Sequence, residues 1–180
     1  MTPGQTSSDR SSDDVERAAG APGVSDVRVF VSFDTEHDGE LYELLLAQSR
    51  IPGSGFAVMG GSERTTASEV SSDRARRRIC EADQMIVICS EHTEASVCVS
   101  VELGIAQQEG TPHFLLWGRR DTMCTKPIGA KPAEGMYSWT RQILQDQIAF
   151  TLRKARSDAT AESLRDAKRK GQSSPSGVAP

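Results

Sequence analysis

The 180 residues suit a single hydrophobic core, since one core usually serves ~100–200 residues. With 37% hydrophobic and 26% charged side chains, the composition is that of a globular chain with some added polar sequence, and fibrous and collagenous classes are excluded. The 21 basic and 25 acidic residues leave a net charge of −4, so there is no overall attraction to phosphate backbones and sequence-general nucleic-acid binding is not expected.

Residues 1–26 are Ser, Asp, Gly, Pro and Ala with almost no large apolar side chains. Such a segment buries too little to offset its ordering entropy, and a disordered arm is expected. It contains no basic region followed by an apolar stretch, so no secretory signal is expected and cytoplasmic residence is. The longest strongly apolar run, Met85 to Cys89, is far short of the ~20 residues that cross a bilayer as a helix, so no membrane span is expected. Cys80, Cys89, Cys98 and Cys124 form no CxxC pair, and His37, His92 and His113 fall at no recurrent metal-ligand spacing. Free thiols without a metal centre or disulfide framework are the expectation.

VRVFVSF at 27–33 alternates in the manner of a strand. Asp34 to Gly39 is a polar turn, after which Leu41, Leu44, Leu45 and Gln48 follow the i, i+3, i+4, i+7 stripe of a helix. FAVM at 56–59, bounded by Gly53, Gly55, Gly60 and Gly61, suits a short second strand followed by a loop over 60–66. Ser68 to Ala82 reads as a helix with Val70 and Ile79 inward. Its RARRR run at 74–78 reads as a solvated face on which Arg77 and Arg78 can pair with Glu81. QMIVICS at 84–90 is a continuous apolar run, as expected of a strand covered on both faces.

Thr93 or Ser96 can cap a third helix that runs to about Glu109, where Gly110 and Pro112 stop it, and HFLLW at 113–117 is the fourth strand. Residues 118–136 are rich in Gly, Pro and Lys and contain no convincing strand, so a fifth strand stays unassigned. Ile143, Leu144, Ile148 and Leu152 mark a last helix from near Tyr137 to near Lys154, with Tyr137 and Trp139 anchoring it. Residues 156–180 are expected to be a tail that is disordered or frays from this helix.

The alternation predicts an α/β fold over 27–155, a flavodoxin-like three-layer αβα architecture whose parallel sheet has four or five strands in the order 2-1-3-4(-5). Ligands of such sheets bind beyond the carboxyl ends of the strands where the order reverses, between strands one and three. The loops at 33–39, 59–66 and 90–98 therefore border the expected site. No GxGxxG or GxxxxGK[ST] follows the first strand, which removes both glycine-based phosphate cradles. A phospho-receiver is also excluded, because Cys89-Ser90 and Trp117-Gly118 stand where its acidic acceptor and lysine belong.

The third helix carries the chemistry. Val97, Val101, Gly104, Ile105 and Gln108 are expected on its buried face, with Glu102 about 100° round from Val101 at the border. A carboxylate at such a border either is half desolvated at a cleft or snorkels to water. The stretches VRVFVSFDTEHDGELYELL and RRRICEADQMIVICSEHTEASVCVSVELGIAQQEGTPHFLLW, with their spacing, resemble a Toll/interleukin-1 receptor (TIR) domain. More narrowly, they resemble the bacterial TIR-like branch that includes the sensor subunit of Thoeris antiphage systems. Glu102 falls at the glutamate that NAD-cleaving TIR enzymes use, while Cys98, four residues earlier, stands where a tryptophan is common.

The resemblance implies an NAD+ nucleosidase with NAD as substrate and no cofactor, breaking the ribose–nicotinamide bond to give linear or cyclic ADP-ribose as an antiphage signal. It also implies self-association of a homo-oligomer through the 59–66 loop and a nucleotide-sensing effector as partner. Glu102 would stabilise the oxocarbenium-like ribose. Phe33 either stacks on a ring of the substrate or is a core phenylalanine. Asp34 flanks the same turn. Asp38 either contacts ligand or charges the first turn of the helix. Arg64 either meets the diphosphate or is a solvated loop arginine, and Cys98 forms the pocket wall. Trp117 and Arg119-Arg120 either border the pocket or support the long loop. Two other readings remain, a non-catalytic TIR-like association module and an enzyme resembling nucleoside deoxyribosyltransferases, which also use a glutamate at an N-glycosidic bond.

Overall fold

The computed structural model describes residues 26–63 and 69–171. The expectations for residues 1–25 and 172–180, and for Arg64 and the rest of the loop up to 68, lie outside the described residues. The elements run β1 Val27–Ser32, α1 Gly39–Ser49, β2 Phe56–Gly61, α2 Glu69–Glu81, β3 Gln84–Cys89, a 3-10 turn Thr93–Ala95, α3 Val97–Glu109, β4 His113–Trp117, β5 Met136–Ser138 and α4 Arg141–Gly171. All four strand pairings are parallel, and the sheet order is β2-β1-β3-β4-β5. This is the flavodoxin-like α/β topology that the alternation predicts.

Two apolar clusters flank the sheet. Val29, Val31, Ile86, Ile88, Phe114 and Leu116 meet Leu41 and Leu45 of α1 and Leu144 and Ile148 of α4 on one face. On the other, Phe30, Met85, Val87 and Leu115 meet Ile79 of α2 and Val99, Leu103 and Ala106 of α3. β3 is buried at every position, as its unbroken apolar run requires in a central strand covered on both sides. Among the described residues no helix is long and apolar enough to cross a membrane.

Three local expectations change. A fifth strand exists, Met136–Ser138, paired with Leu115 to Trp117. Tyr137 therefore lies on β5, edge-to-face with Phe114 at 6.2 Å, and the last helix starts only at Arg141. Trp139 does tie the two together, packing on the α1/α4 cluster and donating from Nε1 to Gln48 at 2.9 Å. α4 continues past Lys154 to Gly171, through most of the expected tail. No Gly or Pro interrupts Arg141 to Lys170, so helix propensity carries a segment that buries almost nothing.

β2 also runs further than expected, into Gly60 and Gly61. The register steps from Val29↔Val58 to Phe30↔Gly60, which leaves Met59 as the extra residue of a bulge. Gly61 is required by its neighbours, because a Cβ there would lie 2.7 Å from Tyr42 Cε2, 2.8 Å from the Val31 carbonyl and 2.9 Å from Phe33 Cε1. Gly104, inside α3, has nothing within 4 Å of the corresponding point. Gly61→Ala is therefore expected to cost about 1–3 kcal/mol by overpacking, and Gly104→Ala to stabilise by up to ~1 kcal/mol through helix propensity. Denaturant unfolding of the two variants checks both signs, and equal effects would contradict the packing described for β2.

Candidate active site

The order of strands reverses between β1 and β3, and the loops leaving their carboxyl ends, 33–38 and 90–96, face each other there. Their imidazoles meet across the crevice, with His37 stacked on His92 at 3.9 Å between ring centroids. Three buried carboxylates lie at this edge, Glu102, Asp38 and Asp34, with different surroundings.

The first is Glu102. The buried positions of α3 are Val99, Glu102, Leu103, Ile105 and Ala106, while Val97 and Val101 are exposed. The expected face is thus rotated, and Glu102 points at the sheet from the middle of the packed side. VCVSVELGIA is apolar on nearly all sides, so periodicity alone leaves the rotation undetermined. Glu102 is 3% exposed, which rules out the snorkelling alternative. Its Oε2 accepts hydrogen bonds from Ser32 Oγ at the end of β1 and from Ser62 Oγ just past β2, both at 2.6 Å. The Cys98 thiol lies one turn earlier on α3 and helps to lower the pKa of Glu102.

Neither serine was a site candidate from sequence, because their meeting depends on the strand register. The parallel register pairs Val31 with Gly61, so the next residues, Ser32 and Ser62, leave the sheet side by side. Ser62 is fixed further by its N–H on the Val31 carbonyl at 2.9 Å and by accepting the Phe33 N–H at 3.0 Å.

Burial pushes Glu102 up to about 7, against the lowering effect of the Ser32, Ser62 and Cys98 hydrogen bonds and of the Arg78 charge. The carboxylate has hydroxyl donors, and among the described residues no cation bonds to it. Burial, followed by the charge of Glu102, pushes the Cys98 thiol up to about 12, so Cys98 serves as a wall and not as a thiolate nucleophile.

The second carboxylate, Asp38, is fully buried at the N-cap position of α1 but makes no capping bond with its side chain. Oδ2 accepts from Ser90 Oγ at 2.6 Å, and Oδ1 pairs with Arg119 Nη2 at 3.3 Å. Arg119 also binds Glu40 at 2.7 Å and the His37 carbonyl at 3.2 Å. Arg119 therefore ties the β1–α1 loop to the end of β4, and Asp38 is committed to structure rather than to the first turn of α1.

Asp34 Oδ1 accepts the N–H groups of Glu36 and His37 and contacts His37 Nδ1 at 2.8 Å. Burial opposes its ionisation, but hydrogen bonds from Ser96 and His37 outweigh it and lower the pKa. Phe33 is buried in the α1/α4 cluster and stacked on Tyr42 at 4.8 Å, which favours the core reading of that ring. Arg64 lies outside the described residues. The structure thus brings Glu102 and Cys98 together and gives Asp34, Asp38 and Phe33 local structural partners.

Arg78 was expected to pair along its own helix with Glu81. It crosses to Glu63 Oε1 at 2.5 Å, where Arg74 joins at 3.3 Å, while Arg76 binds Glu109. Among the described residues no three of His, Cys, Asp and Glu converge as ligands for a metal ion. A groove of about 600 Å³ lies at the opposite, amino edge of the sheet, lined among others by Thr111, His113, Lys131, Glu134 and Lys154. Glu102 does not line it, and the chemistry of the buried carboxylates, not cavity size, singles out the carboxyl edge.

No family model matches the chain, and no curated protein matches it.

A carboxyl group whose folded-state pKa is raised from 4.5 to about 7 stabilises the fold below pH 4.5 relative to alkaline pH, and that stability is lost as pH rises through 7. Glu102→Gln removes this burden. Its stability relative to the parent chain should improve by about 2–3 kcal/mol between pH 5 and pH 8. Urea unfolding at the two pH values measures the change, and a pH-independent difference would contradict the raised pKa.

Proposed function

We propose that this protein is a TIR-like enzyme that cleaves NAD between ribose and nicotinamide, with Glu102 as the catalytic carboxylate. The observation that carries the reading is one buried glutamate, 3% exposed, held at the carboxyl end of β1 beside the strand-order reversal, with hydroxyl partners and, among the described residues, no bonded cation.

The C–N bond breaks with its electron pair going to the nicotinamide nitrogen, which leaves as a neutral base and needs no general acid. Positive charge then grows on the ribose C1 carbon and ring oxygen. An anionic carboxylate in a dry site stabilises that charge by several kcal/mol more than it could in water. Two hydroxyls already crowd one oxygen of Glu102, and ribose hydroxyls are the chemical equivalent of the Ser62 donor. Water attacking C1 and losing a proton gives ADP-ribose; an adenine nitrogen attacking it gives a cyclic isomer. The TIR resemblance makes such a product an antiphage signal read by a nucleotide-sensing effector, with turnover requiring assembly of several copies.

A second reading, a TIR-like association module without turnover, is favoured by the cover over Glu102, where Ser62 and Cys98 both occupy the carboxylate.

Incubation of concentrated protein with NAD, followed by chromatography, distinguishes the two. Nicotinamide release is expected, and Glu102→Gln should lower it by at least ~10²-fold, the scale of a lost electrostatic stabiliser. Because the anion is the working form, kcat/KM should rise with pH and level off above about 7. Equal release by the variant would overturn the role of Glu102, and self-association with no release would favour the module.

A further inference from the structure

The neighbour of Ser62 supplies a second part of the same site. Glu63 Oε1 bridges two guanidinium groups, Arg78 Nη1 at 2.5 Å and Arg74 Nη2 at 3.3 Å. One oxygen shared by two arginines is also the way these side chains receive a phosphate. Arg78 is held for that task by three features. Its guanidinium carbon lies over the Phe30 ring, 5.6 Å from the centroid. It crosses β2 at Gly60, where a Cβ would collide with its Nη2. Its charge reaches Glu102 and lowers the pKa of that group.

The positions are also linked through the chain. Consecutive residues hold the two halves, Ser62 on the Glu102 carboxylate and Glu63 on Arg78. Moving this one segment exposes a carboxylate and a pair of arginines together. A sugar that carries a phosphate group matches that pair of charges, while an unphosphorylated nucleoside matches only the first. The side chains of the clamp are 64% exposed for Arg74, 28% for Arg78 and 40% for Glu63. Ion pairs this exposed contribute little, so a dianion with bidentate geometry can displace Glu63.

Resting on the proposed glycosidic chemistry at Glu102, we infer that Arg78, assisted by Arg74, is the seat for a phosphate group of the substrate, and that Glu63 is an internal carboxylate occupying that seat until the substrate replaces it. Arg78 is then a specificity residue. It selects phosphorylated nucleosides, with the diphosphate of a dinucleotide as the fullest match, over free nucleosides.

Calorimetric titration of the full chain with inorganic pyrophosphate at low ionic strength tests the seat without turnover. Arg78→Ala should weaken binding by about tenfold or more, and Glu63→Gln should strengthen it several-fold, as expected when a charge-assisted contact is lost or a competitor removed. Arg78→Lys, which keeps the charge and the stem over Phe30, should retain only part of the affinity and guards against a folding failure of the alanine variant. Pyrophosphate binding indifferent to all three substitutions overturns the proposal.

Turnover separates this proposal from the function it rests on. At a pH well above 7, where Glu102 is ionised with or without the Arg78 charge, nicotinamide release from NAD should exceed that from nicotinamide riboside, and Arg78→Ala should abolish the preference by slowing NAD alone. If both substrates slow equally, the seat is wrong while the glycosidic reading stands. If pyrophosphate binds through Arg78 but neither substrate is cleaved, the seat stands and the NAD reading fails.

Discussion

The convergence of two serine hydroxyls on one buried carboxylate oxygen organises the carboxyl edge of this sheet. Ser32 ends the interior strand β1, Ser62 follows the edge strand β2, and Glu102 descends from α3. The three segments meet only because β1 lies between β2 and β3 in the sheet and α3 covers the face toward which Ser32 points. Hydroxyls satisfy the lone pairs of the carboxylate without neutralising its charge, so desolvation prevails and raises the pKa.

Asp38 shows what the same edge does with a carboxylate used for structure. It is as deeply buried, but Arg119 bonds to it directly and Ser90 completes its shell. That pair fixes the β1–α1 loop against the end of β3 and the segment after β4. Removing one partner of such a buried pair is costly. Glu102 instead ionises only as pH rises through about 7, and an oxocarbenium-like sugar is the kind of transient cation that its anionic form can stabilise. Arg78 lowers the pKa of Glu102 through its charge, while its guanidinium bonds to Glu63.

Much of the fold was legible in the sequence because burial writes periodicity. The alternation of VRVFVSF, the unbroken run of QMIVIC and the stripe of α4 each follow from which sides are covered, while in α1 Leu41 and Leu45 are buried and Leu44, expected in the same stripe, is 57% exposed. β5 was not legible, since three residues at the sheet edge carry no period. The exposed half of α4 was misread because composition reports burial, whereas an exposed helix needs only favourable propensity and no Gly or Pro. Glu102 stood out through family resemblance; its rotation into the core did not follow from α3, where apolar side chains lie on almost every side. The serines and the Arg78–Glu63 pair depend on residues far apart in sequence and became visible only with the strand register.

The central claim is that Glu102 is a buried, cation-poor carboxylate that stays protonated to near neutral pH. Carbon-13 NMR of glutamate carboxyl groups, with Glu102→Gln assigning the resonance, measures this directly. The account predicts a single glutamate titrating at about 7 that disappears in the variant. A Glu102 resonance titrating in the ordinary carboxylate range near 4.5 would contradict it.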